Sequence, residues 1–151
     1  MKKITLIIAL AIITVSCNTK KEVVTNNEQV EAQVSSMALS ETVWNLQELN
    51  GQAVSLDKNF PKQPNLIFTR KNDISGNLGC NNFSSNYQLK DNTITIKQIA
   101  STQMACPNLA IEQKFIEVLE QTKHVEIEKD ILLLKNKDQE IIAKLKAEQD
   151  L

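Results

Sequence analysis

From Thr42 to Leu145 the apolar residues arrive in short runs broken at close intervals by turn-forming Asn, Asp, Gly and Lys, a cadence suited to a small antiparallel sheet. Trp44 and Leu46 lead into Leu49-Asn50-Gly51, a strand running into a turn, with Val54 and Leu56 on the return. Pro61 and Pro64 make Asp57 to Asn65 a loop, from which Phe60 is expected to fold back onto the core. Leu66 to Thr69 and Ile74 to Leu78 read as partner strands. Phe83, Ser85, Tyr87 and Leu89 alternate with polar neighbours before Lys90-Asp91-Asn92, and β-branched Thr93 to Ile96 returns, predicting a hairpin. Only one stretch has helical period. Asn108 is placed to cap a helix whose inner face is Ile111, Phe115, Val118 and Leu119, with Glu112, Lys114 and Glu117 expected outside. Three more short strands follow, at 125–127, 131–134 and 141–145, so the fold class is α+β and mainly antiparallel, with one amphipathic helix.

The amino terminus has a different character. Lys2 and Lys3 precede an apolar run from Ile4 to Val15, which as a helix covers roughly 18 Å against the ~30 Å of a bilayer core, so residues 1–16 read as a signal peptide rather than a span. The small Ser16 directly before Cys17 resembles the lipobox of bacterial lipoproteins, although Thr14 and Val15 depart from its commonest residues. On that reading Cys17 is lipidated and becomes the mature terminus, and its acyl chains, at about 0.8 kcal/mol per buried CH₂, anchor the chain to a membrane. An ordinary secretory signal with an incidental cysteine is the alternative. Asn18 stands where an Asp commonly retains lipoproteins on an inner membrane, which points to the outer membrane of the envelope. Residues 17–40, rich in Asn, Gln, Glu, Lys, Thr and Ser and free of aromatics, bury too little apolar surface to offset ordering and read as a flexible tether. The alternative is a marginal helix from Val23 to Met37, since Val30, Val34 and Met37 fall at helical spacing. The globular domain is then expected at 41–147, with a short tail at 148–151.

Removing the signal takes two of the 17 basic residues and none of the 18 acidic ones, leaving a net of −3. Such a balance lacks the basic stripe that a phosphate backbone demands, so nucleic acid is not an expected partner.

Four blocks carry a family resemblance: Trp44-x-Leu46 with Leu49-Asn50-Gly51 and Val54; Gly79-Cys80-Asn81-Asn82-Phe83 followed by Tyr87 and Leu89; Ile99 to Pro107, containing Ser101-Thr102-Gln103-Met104-Ala105-Cys106; and Glu112, Phe115 and Leu119 followed by Ile131 to Leu134. Together they resemble the META (HslJ-like) domain family. The likeness covers about residues 41–145. It departs at Gln103, where the family often has Arg or Lys, and at Ser85, where Gly is common. The resemblance implies a barrel-like sheet with a packed helix and an association with heat shock, stress response and the cell envelope, but it implies no reaction. A likeness of the fold to lipid-binding secretin pilot proteins makes an apolar groove conceivable.

Candidate chemistry is sparse. Once Cys17 is acylated, Cys80 and Cys106 are the cysteines that remain, and in an oxidising compartment a disulfide between them is expected, with two buried free thiols as the alternative. Two cysteines and the single His124 fall short of a tetrahedral metal site, and no Gly-x-Ser-x-Gly elbow surrounds a serine for His124 to serve. No catalytic residue, metal or cofactor is therefore expected, and a monomer is. The leading reading is a binding protein for an envelope partner, with Asn81, Asn82, Gln103 and Met104 as the candidate surface. The alternative is a carrier of a lipid or small hydrophobic molecule, with Phe68, Phe83, Tyr87 and Phe115 as cavity walls. Replacing Cys17→Ser is expected to move the chain from the detergent phase to the aqueous phase in detergent partitioning; a chain that partitions identically with and without the thiol is not anchored through it.

Overall fold

The computed structural model describes residues 36–148. The signal segment, Cys17, most of the tether and the last three residues lie outside the described residues. Helix α1 (Ser36–Leu39) is followed by β1 (Val43–Leu49), β2 (Gln52–Ala53), β3 (Asn65–Phe68), β4 (Asp73–Asn77), β5 (Asn82–Lys90), β6 (Thr93–Ile96) and β7 (Ala100–Ser101). Helix α2 (Leu109–Gln121) then leads to β8 (His124–Glu128), β9 (Ile131–Lys135) and β10 (Ile141–Ala147). The protein is α+β, with one sheet of ten strands among the described residues.

The sheet runs β10-β9-β8-β6-β5-β4-β3-β1, and β1 pairs with β10 as well, so the path returns on itself; β2 hangs from β1 and β7 from β5. Every ladder is antiparallel, and a parallel bridge joins Ser40 to Phe68. The expected barrel-like sheet is a ring rather than a closed barrel, with one loose joint. Strands β6 and β8 share a single registered pair, Thr93 opposite His124, flanked by bonds from Ile94 N–H to Lys123 O and from Val125 N–H to Asn92 O, each 2.9 Å. Antiparallel strands that overlap only at their first residues diverge from that point, so the ladder cannot extend there.

Alternation places the core. Along β5, Phe83 and Tyr87 are buried with Ser85 and Leu89 half-buried between exposed neighbours, as period two requires. Leu132, Leu133 and Leu134 of β9 are all buried. The inward residues of the strands join Phe115, Val118 and Leu119 of α2 in one cluster. Leu39 belongs to it, fully buried, and its carbonyl accepts the Trp44 indole N–H at 3.0 Å, so the packed domain begins inside the last residues of the expected tether. The β1–β2 connection has Asn50 and Gly51 at φ 49° and 76°, the paired left-handed conformations of a tight hairpin turn.

Gly76 shows how closely two strands approach. A Cβ built there would lie 2.0 Å from the backbone oxygen of Asn65, on the neighbouring strand, whereas one at Gly51 would meet nothing within 4 Å. Gly76→Ala is therefore expected to cost about 3 kcal/mol or more in denaturant unfolding, and Gly51→Ala only about 1 kcal/mol, from its left-handed φ. Equal effects at the two positions would contradict this packing.

Candidate functional site

The chain turns sharply between β4 and β5, through Leu78, Gly79, Cys80 and Asn81. Leu78 N–H donates to Asn81 O at 2.8 Å, and Gly79 N–H to the Asn77 side-chain oxygen at 2.8 Å. Gly79 sits at φ 103°, with Pro64 Cγ 3.2 Å from where a Cβ would stand, so glycine serves both the backbone and the space here. The turn buries Cys80 completely and points it at the segment after β7. Cys80 and Cys106 are joined as a disulfide, with their Cα atoms 6.0 Å apart. In the chain-entropy picture, closing a loop of this length contributes about 3.5 kcal/mol.

Asn81 is the centre of this junction. Its Oδ1 accepts from the Thr102 hydroxyl at 2.9 Å and from Met104 N–H at 2.8 Å, while its Nδ2 donates to Met104 O at 3.1 Å. The same Nδ2 reaches both Glu112 carboxylate oxygens at 3.1 Å, and Asn81 N–H donates to Glu112 Oε2 at 2.8 Å. Its carbonyl takes Leu78 N–H and the Asn77 amide. Every polar atom of the residue is thus engaged, and it is 1% exposed. Asn81 was expected on the binding surface; it lies beneath that surface and holds it, because its amide matches the backbone of the loop above it.

Glu112 reverses another expectation. Predicted to face solvent, it is 5% exposed on the buried face of α2 with Phe115, Val118 and Leu119. Its spacing from Phe115 and Leu119, three and seven residues on, is the signal that places all three on one helix face. A buried carboxylate needs donors, and Asn81 supplies them. Asn108 is the helix N-cap residue but makes no side-chain cap bond. Its Oδ1 instead accepts from Asp57 N–H at 2.9 Å, and its Nδ2 donates to Phe60 O at 2.8 Å and Gly79 O at 3.3 Å, tying the proline loop and the Gly79 turn to the helix start. Phe60 is half-buried there.

What remains outside is the stretch from Ser101 to Ala105, exposed throughout, with Met104 at 54%. Thr102 N–H donates to Asn82 O at 3.1 Å, so this stretch is anchored by the backbone of Thr102 and Met104 and by the Thr102 hydroxyl, while Gln103 and Met104 remain exposed. Asn82, Gln103 and Met104 form the exposed part of the expected surface. The four aromatics proposed as cavity walls, Phe68, Phe83, Tyr87 and Phe115, are members of the packed core, and Phe68 and Tyr87 meet edge to face with ring centroids 5.2 Å apart. His124 is half-buried at the start of β8, opposite Thr93 and Lys135. Among the described residues no three His, Cys, Asp or Glu side chains converge as metal ligands do.

A model of the META domain matches residues 37–149. The chain belongs to the META domain family. Among curated proteins, the heat shock protein HslJ of Escherichia coli (strain K12) is 28% identical over 148 residues, covering 96% of each chain. A META-like fold recurs in a solution structure 28% identical to this chain, covering 75% of it and 94% of its counterpart with a TM-score of 0.60. It recurs again in a solution structure from Burkholderia xenovorans, 20% identical, covering 76% of this chain and 87% of that one with a TM-score of 0.59. A crystal structure of a DUF4847 family protein from Bacteroides vulgatus ATCC 8482 is 15% identical, covers 76% of this chain and 99% of that one, and superposes with a TM-score of 0.59. The last two likenesses concern the fold alone.

Exchanging Glu112→Gln keeps the shape but sets an amide NH₂ against donors of Asn81 and removes the charge from those bonds. The expected loss is about 1.5–3 kcal/mol in denaturant unfolding of the oxidised protein, against less than ~0.5 kcal/mol for the exposed Glu117→Gln. Equal, small losses at both sites would mean that the junction contributes nothing.

Proposed function

We propose that this META-domain protein is a non-enzymatic, lipid-anchored component of the bacterial envelope, more specifically of the outer membrane, that acts in stress by binding a protein partner through the loop from Ser101 to Cys106. The observation that carries the reading is the contrast within that loop: it is tied down by Asn81, Asn82 and a disulfide, through backbone N–H groups and the Thr102 hydroxyl, while Gln103 and Met104 are left exposed. A fixed loop presents its side chains without the entropy loss that a mobile one incurs on binding. Methionine is enriched in protein interfaces, where its flexible thioether adapts to a partner. The packing of Phe68, Tyr87 and Phe115 into the core favours this reading over a carrier. The heat-shock name of the Escherichia coli relative supports the stress association, and the signal-like start with Cys17 supports the anchor and the envelope.

A photo-crosslinking residue placed at Gln103 in the full chain, produced in bacterial cells, tests it. Discrete protein adducts are expected from position 103 and none from Lys137, an exposed residue in the turn between β9 and β10. Adding Met104→Glu should lower the yield at least tenfold with the unfolding midpoint unchanged. Adducts of equal yield from both positions, or from neither, would overturn the proposal.

A further inference from the structure

The short strand β7 has one partner. Ser101 stands opposite Phe83 and Ala100 opposite Ser84, and the bond from Thr102 N–H to Asn82 O continues the ladder by one more pair. In an antiparallel pair, bonded and non-bonded positions alternate. Because the Asn82–Thr102 position is bonded inward, the N–H and C=O of Ser101 point the other way, along the outer edge, where no described strand pairs with them. Both residues of β7 are exposed.

Open edges are ordinarily blunted by charge. Here the reverse holds. Every residue from Gln98 to Ile111 is uncharged, and so is every residue from Ile74 to Leu89, the segment that supplies most of β4 and β5 behind β7. Lys62, whose ammonium reaches Asn82 Oδ1 at 3.4 Å, marks the rim of this charge-free area. Depletion of charge is the compositional mark of an interface centre. The Asn81 junction also holds the backbone of Met104, three residues beyond Ser101, which is an exposed apolar residue.

We infer that the outer edge of β7 accepts an extended, uncharged peptide segment of the partner as an added strand, bonded to the Ser101 N–H and C=O and anchored on Met104. The inference rests on the partner-binding reading above and specifies its mode: main-chain bonds supply the affinity, and the charge-free surround selects against acidic and basic segments, which would lose hydration there without gaining a counter-charge.

The probe is a panel of eight-residue peptides of Val, Thr, Ser and Asn with blocked termini, and counterparts with Glu or Lys at alternate positions, titrated onto the full chain in detergent. Uncharged members are expected to bind at least tenfold more tightly than charged ones and to slow amide exchange at Ser101 at least tenfold, leaving Lys146 on β10 unaffected. Ser101→Pro removes the outward donor and places a ring on the edge while sparing the inward bonds, since proline is tolerated where an edge N–H faces solvent; it should abolish peptide binding. Exchange at Ser101 unchanged by saturating peptide, equal affinity for charged peptides, or no binding by any member would overturn strand addition, and the first of these is read on the unmodified chain whatever the variant does. Crosslinking from position 103 separates the two levels: adducts that persist in a folded Ser101→Pro chain leave partner binding standing and remove strand addition, whereas loss of adducts and peptide binding together supports both.

Discussion

A carboxylate withdrawn from water must be met by donors, and in this protein that requirement is satisfied at one place, where Glu112 of α2 takes the backbone and side-chain N–H groups of Asn81. The bond set joins three distant parts of the chain: the turn after β4, the helix, and, through the other side of the same amide, the loop after β7. An asparagine suits this position because it carries donors and an acceptor on one short planar group. Aspartate would offer no donor to the carboxylate, and glutamine would place its amide one carbon further out.

Around that junction the cross-links are of different kinds. The Cys80–Cys106 bond is covalent and lies one residue from Asn81 in sequence. The Asn108 side chain, freed from capping its own helix, joins the proline loop and the Gly79 turn. The Asn77 side chain closes the turn itself, accepting from Gly79 N–H and donating to Asn81 O and Asn82 Oδ1. Several asparagines thus perform inside the domain what water would do for the same backbone groups outside it, and the described residues contain no buried side-chain nitrogen or oxygen without a partner. The sheet provides the frame for this, since β1 pairs with both β3 and β10 and so returns the path to its start.

The functional reading follows from this division of labour. At the junction Asn77, Asn81, Asn108 and Glu112 are buried and bonded, while Gln103 and Met104 are exposed and uncharged. In this chain the Gly79-Cys80-Asn81 turn and the Ser101 to Cys106 segment build one bonded junction, and membership of a fold family does not by itself assign a reaction.

Most of the strands were legible in the chain because a half-buried strand writes its environment into alternate residues, as Phe83, Ser85, Tyr87 and Leu89 do, and because the turns carry Asn, Asp, Gly and Lys where strands do not. The helix was legible for the same reason at a different period, four blocks of residues marked the family, and the disulfide was expected from the two cysteines left once Cys17 is set aside. Burial of polar residues was not legible from hydrophobicity, and for Glu112 only its spacing from Phe115 and Leu119 carried a signal. Glu112 and Asn81 look like surface residues to any reading based on hydrophobicity, since whether a polar group can leave water depends on a partner thirty-one positions away. The loose joint between β6 and β8 was equally hidden, because strand overlap is a property of register between segments and not of either segment alone. The amino-acid sequence by itself determined which residues prefer the interior and where the chain turns, as these are local consequences of side-chain chemistry. Only the tertiary structure decided which polar groups could join them there, since that depends on two surfaces meeting with their donors and acceptors matched.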